Sequence, residues 1–162
     1  MEESGKPQST TIEAPRGMYP GRLDEKGRLK VPATLQKYFE SLPEKKLFVT
    51  SMDRRTAAIY PISVWRTTEE FFDRYHEDPQ AAEDIFFAAT QLGSEVEMDG
   101  QGRILFNSEL RRVVKLEGTE LHLYAYRGHI EVLTDAIYQE REQSSAVNAT
   151  SALAVLRKAG LR

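Results

Sequence analysis

The chain has 162 residues, of which 40% are hydrophobic and 29% charged, a length that suits one compact domain with tails. It contains no cysteine, which excludes disulfides and thiolate chemistry. Its apolar runs fall short of the ~20 residues of a membrane span, and its first eleven residues lack the apolar centre of a signal peptide, so a soluble, cytoplasmic protein with no membrane partner is expected.

The formal net charge of −3 argues against nucleic acid only as an average. Arg66 to Asp99 holds ten acidic and two basic residues, while Arg16 to Lys30 carries five basic residues against two acidic. The basic patch is local.

In chain order, residues 1–16 are polar and aperiodic and read as a disordered N-terminal extension. A strand at Tyr19–Leu23 leads into Asp24-x-x-Gly27-Arg28, a tight reversal in which the aspartate caps its own turn and the glycine takes the left-handed position. Arg28–Val31 is then the outgoing strand, and Pro32 sets up a helix at Ala33–Phe39. Strands at Lys46–Thr50 and Ala57–Tyr60 follow. Ser63 or Thr67 opens a helix reaching about Tyr75, Thr67-x-x-Glu70 having capping-box spacing. His76–Pro79 breaks it, and Gln80–Gln91 forms another helix.

Strands are next expected near Ser94–Met98 and Arg103–Phe106, a helix at Ser108–Val114 capped by Asn107, strands at Glu120–Ala125 and Gly128–Leu133, and a final helix from about Asp135. The tail stays low in apolar content until Ser151–Gly160, which reads as a short helix on a flexible tether.

The chain repeats itself. Leu23–Leu35, LDEKGRLKVPATL, returns 75 positions later as MDGQGRILFNSEL at Met98–Leu110, pairing Asp24 with Asp99, Gly27 with Gly102, Arg28 with Arg103 and Leu29 with Ile104. Weaker echoes follow at Leu47–Ser51 with Leu121–Ala125, and at Ala57–Trp65 with Ile130–Tyr138. Each unit is too small to bury much apolar surface alone, so two halves sharing one core are expected: repeat 1 over 17–63, a helical spacer over 64–93, repeat 2 over 94–138, and a helix end and tail over 139–162.

The doubled D-x-K-G-R-(three residues)-P signature, the Tyr60-Pro61 before the helix carrying Trp65, and the two-helix spacer resemble the MraZ proteins, bacterial regulators built from two SpoVT/AbrB-type repeats. The resemblance covers roughly Gly17 to Arg141. In copy two, Gln101 replaces the lysine and Asn107 the proline, which weakens the match there. The resemblance implies an α+β fold, a swapped-hairpin AbrB-like β-barrel formed by the two repeats and decorated by helices. It also implies a transcriptional regulator, located in the cytoplasm at the nucleoid, that binds double-stranded DNA. The implied sites are direct repeats upstream of the division and cell-wall gene cluster, bound as a ring-shaped homo-oligomer.

Side chains at a rigid hairpin tip reach outward, as contacts to phosphate or guanine require. Arg28, Lys26, Arg22, Lys30 and Arg103 are therefore the DNA-binding candidates, beside the plainer reading in which each arginine pairs with its own aspartate. Asp24, Gly27, Asp99 and Gly102 are structural at the tips. Phe71, Phe72, Phe86 and Phe87 are candidates for an oligomer interface, because adjacent aromatics cannot share one helix face.

His76, His122 and His129 lack metal-ligand spacing, and Gly100-x-Gly102 leads into a strand and not a helix. No catalytic residue, metal, cofactor or small-molecule substrate is expected. The alternative function is an antitoxin-like protein-binding module that uses the C-terminal tail.

Overall fold

The computed structural model describes residues 12–162; the first eleven residues of the expected extension lie outside that range. Residues 12–16 are irregular, with the Ile12 N–H donating to Ser41 Oγ at 3.3 Å and Ala14 packed on the core.

The elements then run β1 (Gly17–Gly21), β2 (Arg28–Lys30), α1 (Ala33–Ser41), β3 (Leu47–Thr50), β4 (Ala57–Pro61), α2 (Ile62–Arg74) and α3 (Pro79–Leu92). They continue with β5 (Ser94–Val96), β6 (Arg103–Leu105), α4 (Ser108–Val114), β7 (Leu121–Tyr126), β8 (His129–Thr134) and α5 (Asp135–Lys158).

The fold is α+β and its strand pairs are antiparallel. Six strands form one sheet in the order β1-β7-β8-β4-β3-β5, and β2 pairs with β6 in a separate two-stranded ribbon. The expected closed barrel is not what the hydrogen bonding shows. The sheet is open, with β1 and β5 as its edges, because each Asp-x-x-Gly-Arg reversal turns the chain out of the sheet and the two outgoing strands pair with each other.

Strands of the two copies interleave. β1 pairs with β7, and β5 with β3. In the ribbon Leu29 faces Ile104, and residues related by the 75-residue offset exchange partners, Arg28 with Leu105 and Lys30 with Arg103. At the sheet centre β4 and β8 repeat the relation about Ala58 and Glu131, with Ala57 facing Val132 and Ile59 facing Ile130. These registers are symmetric about two points, as a twofold relation between the copies requires.

Burial follows the layout. β4 is covered along its whole length, whereas β7 alternates buried and half-buried residues, the period-2 signature of a strand with one solvated face. Leu29, Leu35, Ile104, Phe106 and Leu110 are fully buried in one shared core. A second cluster gathers Ala58, Tyr60, Ile62, Trp65 and Ala89, with the Trp65 ring 4.8 Å from Phe48 and 5.0 Å from Tyr60.

Two helices differ from the sequence reading. α2 begins at Ile62, directly after Pro61 and without a side-chain cap; Thr67 lies inside it and its hydroxyl donates to Ser63 O. Strand β4 therefore passes straight into the helix, and the Ile62 N–H is satisfied by Lys46 O at 3.1 Å. α5 is one continuous helix through the stretch expected to be a tether. Residues 143–150 contain neither glycine nor proline to interrupt it. No helix among the described residues is long and apolar enough to cross a membrane.

Candidate nucleic-acid interface

The two reversals have the same local chemistry. Asp24 Oδ1 accepts from the backbone N–H groups of Lys26 and Arg28, both at 2.9 Å. The Gly27 N–H donates to Asp24 O at 2.9 Å, with Gly27 at φ +84°. Asp99 does the same for Gln101 and Arg103, with Gly102 at φ +76°. Chiefly through the backbone N–H of Arg28 or Arg103, against an opposing desolvation, both carboxyls are held below the usual carboxylate range. Each turn keeps its cap ionised at neutral pH.

The tips are locked to each other. The Val31 N–H donates to Gly102 O at 2.8 Å and the Phe106 N–H to Gly27 O at 2.9 Å, a reciprocal exchange between equivalent residues. Asn107 caps α4 through Oδ1, which accepts from the Leu110 N–H at 2.7 Å.

Alternation along β2 and β6 sends Leu29 and Ile104 inward, and Arg28, Lys30, Arg103 and Leu105 to the outer face. The structure thus brings Arg28, Lys30 and Arg103 onto one ribbon, with Lys30 and Arg103 directly opposite. Sequence reasoning located the cations but missed that the copies merge into one face, because nothing local specifies which distant strand β2 pairs with.

Each arginine also makes the ion pair of the plainer reading, Nε to Asp Oδ2 at 2.9 Å for Arg28–Asp24 and for Arg103–Asp99. The pair uses one edge of the guanidinium and leaves both terminal nitrogens without a partner among the described residues. The ion pair therefore positions the side chain without using up its donors. Lys30 Nζ donates to Gln101 O of the other tip. The Lys26 ammonium and the Arg22 guanidinium are exposed, with no partner among the described residues.

Over 104 residues, 64% of this chain and 71% of the relative, the sequence is 34% identical to the transcriptional regulator MraZ of Koribacter versatilis. It is 30% identical over 125 residues to that of Dechloromonas aromatica, covering 76% of this chain and 83% of the relative. The chain belongs to the MraZ family of transcriptional regulators. Identity to the MraZ of Acidobacterium capsulatum is 29% over 134 residues, covering 83% and 91% of the two chains. No protein-family model matches the sequence.

Away from the ribbon, this MraZ family member places Phe71, Phe72, Tyr75 and Phe86 in one aromatic group on α2 and α3. Ring centroids are 6.0 Å apart for Phe71–Phe72, 5.3 Å for Phe71–Tyr75 and 5.5 Å for Phe72–Phe86. Phe71, Phe86 and Phe87 are exposed, Phe87 by 60%.

His122 and His129 are engaged internally. His122 Nε2 lies 2.9 Å from Asp135 Oδ1 and its ring stacks on Tyr138; the His129 ring stacks on Tyr60. Glu120, His122 and Asp135 bring ligand-type atoms within 4.8 Å of one another, a proximity that sequence spacing concealed because Asp135 opens the next helix. The contacts of His122 are those of a group joining α5 to β7.

Proposed function

We propose that this protein is a sequence-specific, DNA-binding transcriptional regulator that presents the β2–β6 ribbon to the major groove. The observation that carries the reading is the outward face on which Arg28, Lys30 and Arg103 stand together. A two-stranded ribbon is one of the elements the major groove admits. Arginine terminal nitrogens held in plane by a carboxylate suit bidentate contact to guanine. Lys26 and Arg22 extend the cationic surface toward the phosphates, whose contacts position the protein without specifying sequence. The names of the three relatives, all regulators, support the same reading.

In this reading the two copies form the swapped-hairpin unit of the SpoVT/AbrB type, supported by the interleaved pairings of β1 with β7, β5 with β3 and β2 with β6. The protein acts in the cytoplasm at the nucleoid, as a head-to-tail ring on direct repeats upstream of its own operon in the division and cell-wall cluster. Such a ring offers the same ribbon repeatedly in one sense, which matches direct repeats as a twofold dimer matches palindromes. The exposed phenylalanines of α2 and α3 supply the subunit contact.

Gel-shift titration with DNA from upstream of the protein's own operon tests the reading. A shift that survives excess scrambled duplex is expected, and equal competition by scrambled duplex would contradict it. The exposed α5 favours a second reading, a protein-binding module. Truncation after Glu142 leaves binding to a single DNA repeat intact on the first reading and abolishes partner binding on the second.

A further inference from the structure

Two unpartnered surfaces of this chain are complementary. Between α2 and α3 lies a cleft of about 460 Å³, lined by the rings of Phe72, Tyr75 and Phe86 and by the carboxylates of Glu69, Asp73 and Glu83. Its lining is part aromatic and part anionic. Its aromatic rings extend to exposed Phe71.

The far end of α5 has the opposite character. Gln143 to Leu156 carries no charge, and Arg157, Lys158 and Arg162 follow it without an acidic residue. Leu153 and Leu156, three apart and so on one helix face, are 39% and 53% exposed. Every residue from Arg141 to Arg162 is exposed, and the helix buries none of its own. A helix with no packed face is marginal in water, since helical stability in proteins comes chiefly from tertiary contacts. The sequence nevertheless favours a helix here, which is the economy of a segment that packs against something else.

We propose that the end of α5, through Leu153, Leu156, Arg157 and Lys158, docks into the α2–α3 cleft of a second copy of this chain. The leucines cover the aromatic rings and the two cations meet the carboxylates. Charge complementarity selects this occupant, because the charged side chains lining the cleft are all negative and those of the helix end all positive. Reach excludes the chain's own cleft as the site. α5 is one unbroken helix of 24 residues, about 36 Å long at 1.5 Å per residue, whose outer part leaves the body and has no hinge that would fold it back.

The contact joins two different surfaces, so it is heterologous. Such contacts propagate head to tail and close into rings when the rotation permits. The proposal thus rests on the self-association reading above and names its interface, without depending on DNA.

A charge exchange tests it. One variant carries Glu69→Lys with Glu83→Lys in the cleft; the other carries Arg157→Glu with Lys158→Glu on the helix. Each alone sets like charges against each other and should lower the assembly mass in light scattering, with unchanged circular dichroism. Mixed in equal amounts, every helix end meets a cleft of opposite sign, and the parental mass should return. Parental mass for either variant alone would overturn the proposal. A mixture as dissociated as its parts would overturn it too, and a drop in the helix variant only would overturn it in favour of pairing of α5 with itself. Arg28, Lys30 and Arg103 are native in both variants, so binding to a single DNA repeat reports on the DNA reading separately.

Discussion

Gly27 lies where a side chain would enter Arg111: a Cβ built on it would stand 2.5 Å from the arginine Nε. Arg111 is held there by its own bonds, Nε donating to Phe106 O at 2.9 Å and a terminal nitrogen paired with Glu117. Gly102 has the equivalent relation to Gln36, whose Nε2 donates to Val31 O at 2.6 Å. Each tip therefore closes against the helix of the other copy, and both glycines also need a positive φ.

Gly27→Ala and Gly102→Ala should each lower unfolding stability by roughly 1–3 kcal/mol, from left-handed strain together with the displaced partner. Gly100→Ala, with nothing within 4 Å of the added methyl, should stay within about 0.5 kcal/mol of the parent. Chemical denaturation of the three variants checks the contrast, since Gly100 has neither a positive φ nor a neighbour to displace; equal losses would contradict both left-handed strain and the contact across copies as sources of the cost.

Arg28→Ala removes a ribbon guanidinium whose side chain makes no core contact, so it should abolish specific DNA binding and leave the oligomer and its unfolding midpoint nearly unchanged. Arg103→Ala, opposite Lys30 on the same face, should weaken binding less, because copy two lacks the tip lysine and offers Gln101 in its place. Titration of the operon DNA with each variant decides; equal losses would show that the copies do not divide the work.

Glu131 is half-buried at the point about which β4 and β8 pair, opposite Ala58. Its carboxyl is pulled down to about 2, by His129 first, then by the Tyr126 hydroxyl and by Arg141, against a desolvation that pushes the other way. His129 Nε2 stands 3.9 Å away, beyond hydrogen-bond reach, whereas Tyr126 donates at 2.6 Å and Arg141 at 3.0 Å. A carboxyl lowered in the folded state contributes stability that is complete above its unfolded value and is lost as pH falls through the folded one. From pH 5 to pH 2 the parent should lose on the order of 2 kcal/mol more than Glu131→Gln, allowing for partial exposure. Parallel pH curves for the two proteins would contradict this account of the cluster.

Local chemistry was the legible part of this chain. The Asp24 and Asp99 reversals, the Asn107 cap and the break before α3 each follow from a few residues acting on their own backbone. Asp78 caps α3 through the Ala81 N–H, and Pro79 sits in its first turn. Pairings between distant segments were not legible. Ladder bonds between β2 and β6 carry no sequence label, so the merging of Arg28, Lys30 and Arg103 on one face, and the openness of the sheet, came only with the register. α2 defeated the cap rule because Pro61 ends a strand and precedes a helix with no loop between. α5 runs through the stretch where serine, threonine and asparagine at 144–151 resemble loop chemistry, because nothing among them breaks a helix.

Whether one ribbon contacts one DNA repeat and neighbouring subunits add theirs is read from the salt dependence of affinity against repeat number. Arg22, Lys26, Arg28 and Lys30 offer about three phosphate neutralisations per ribbon, so a one-repeat duplex should give a slope near −3 in log affinity against log salt. Three or four direct repeats should steepen it nearly in proportion and raise affinity by orders of magnitude, since each later contact is intramolecular. A slope that stays near −3 on four repeats, or an inverted repeat bound as well as a direct one, would contradict the account.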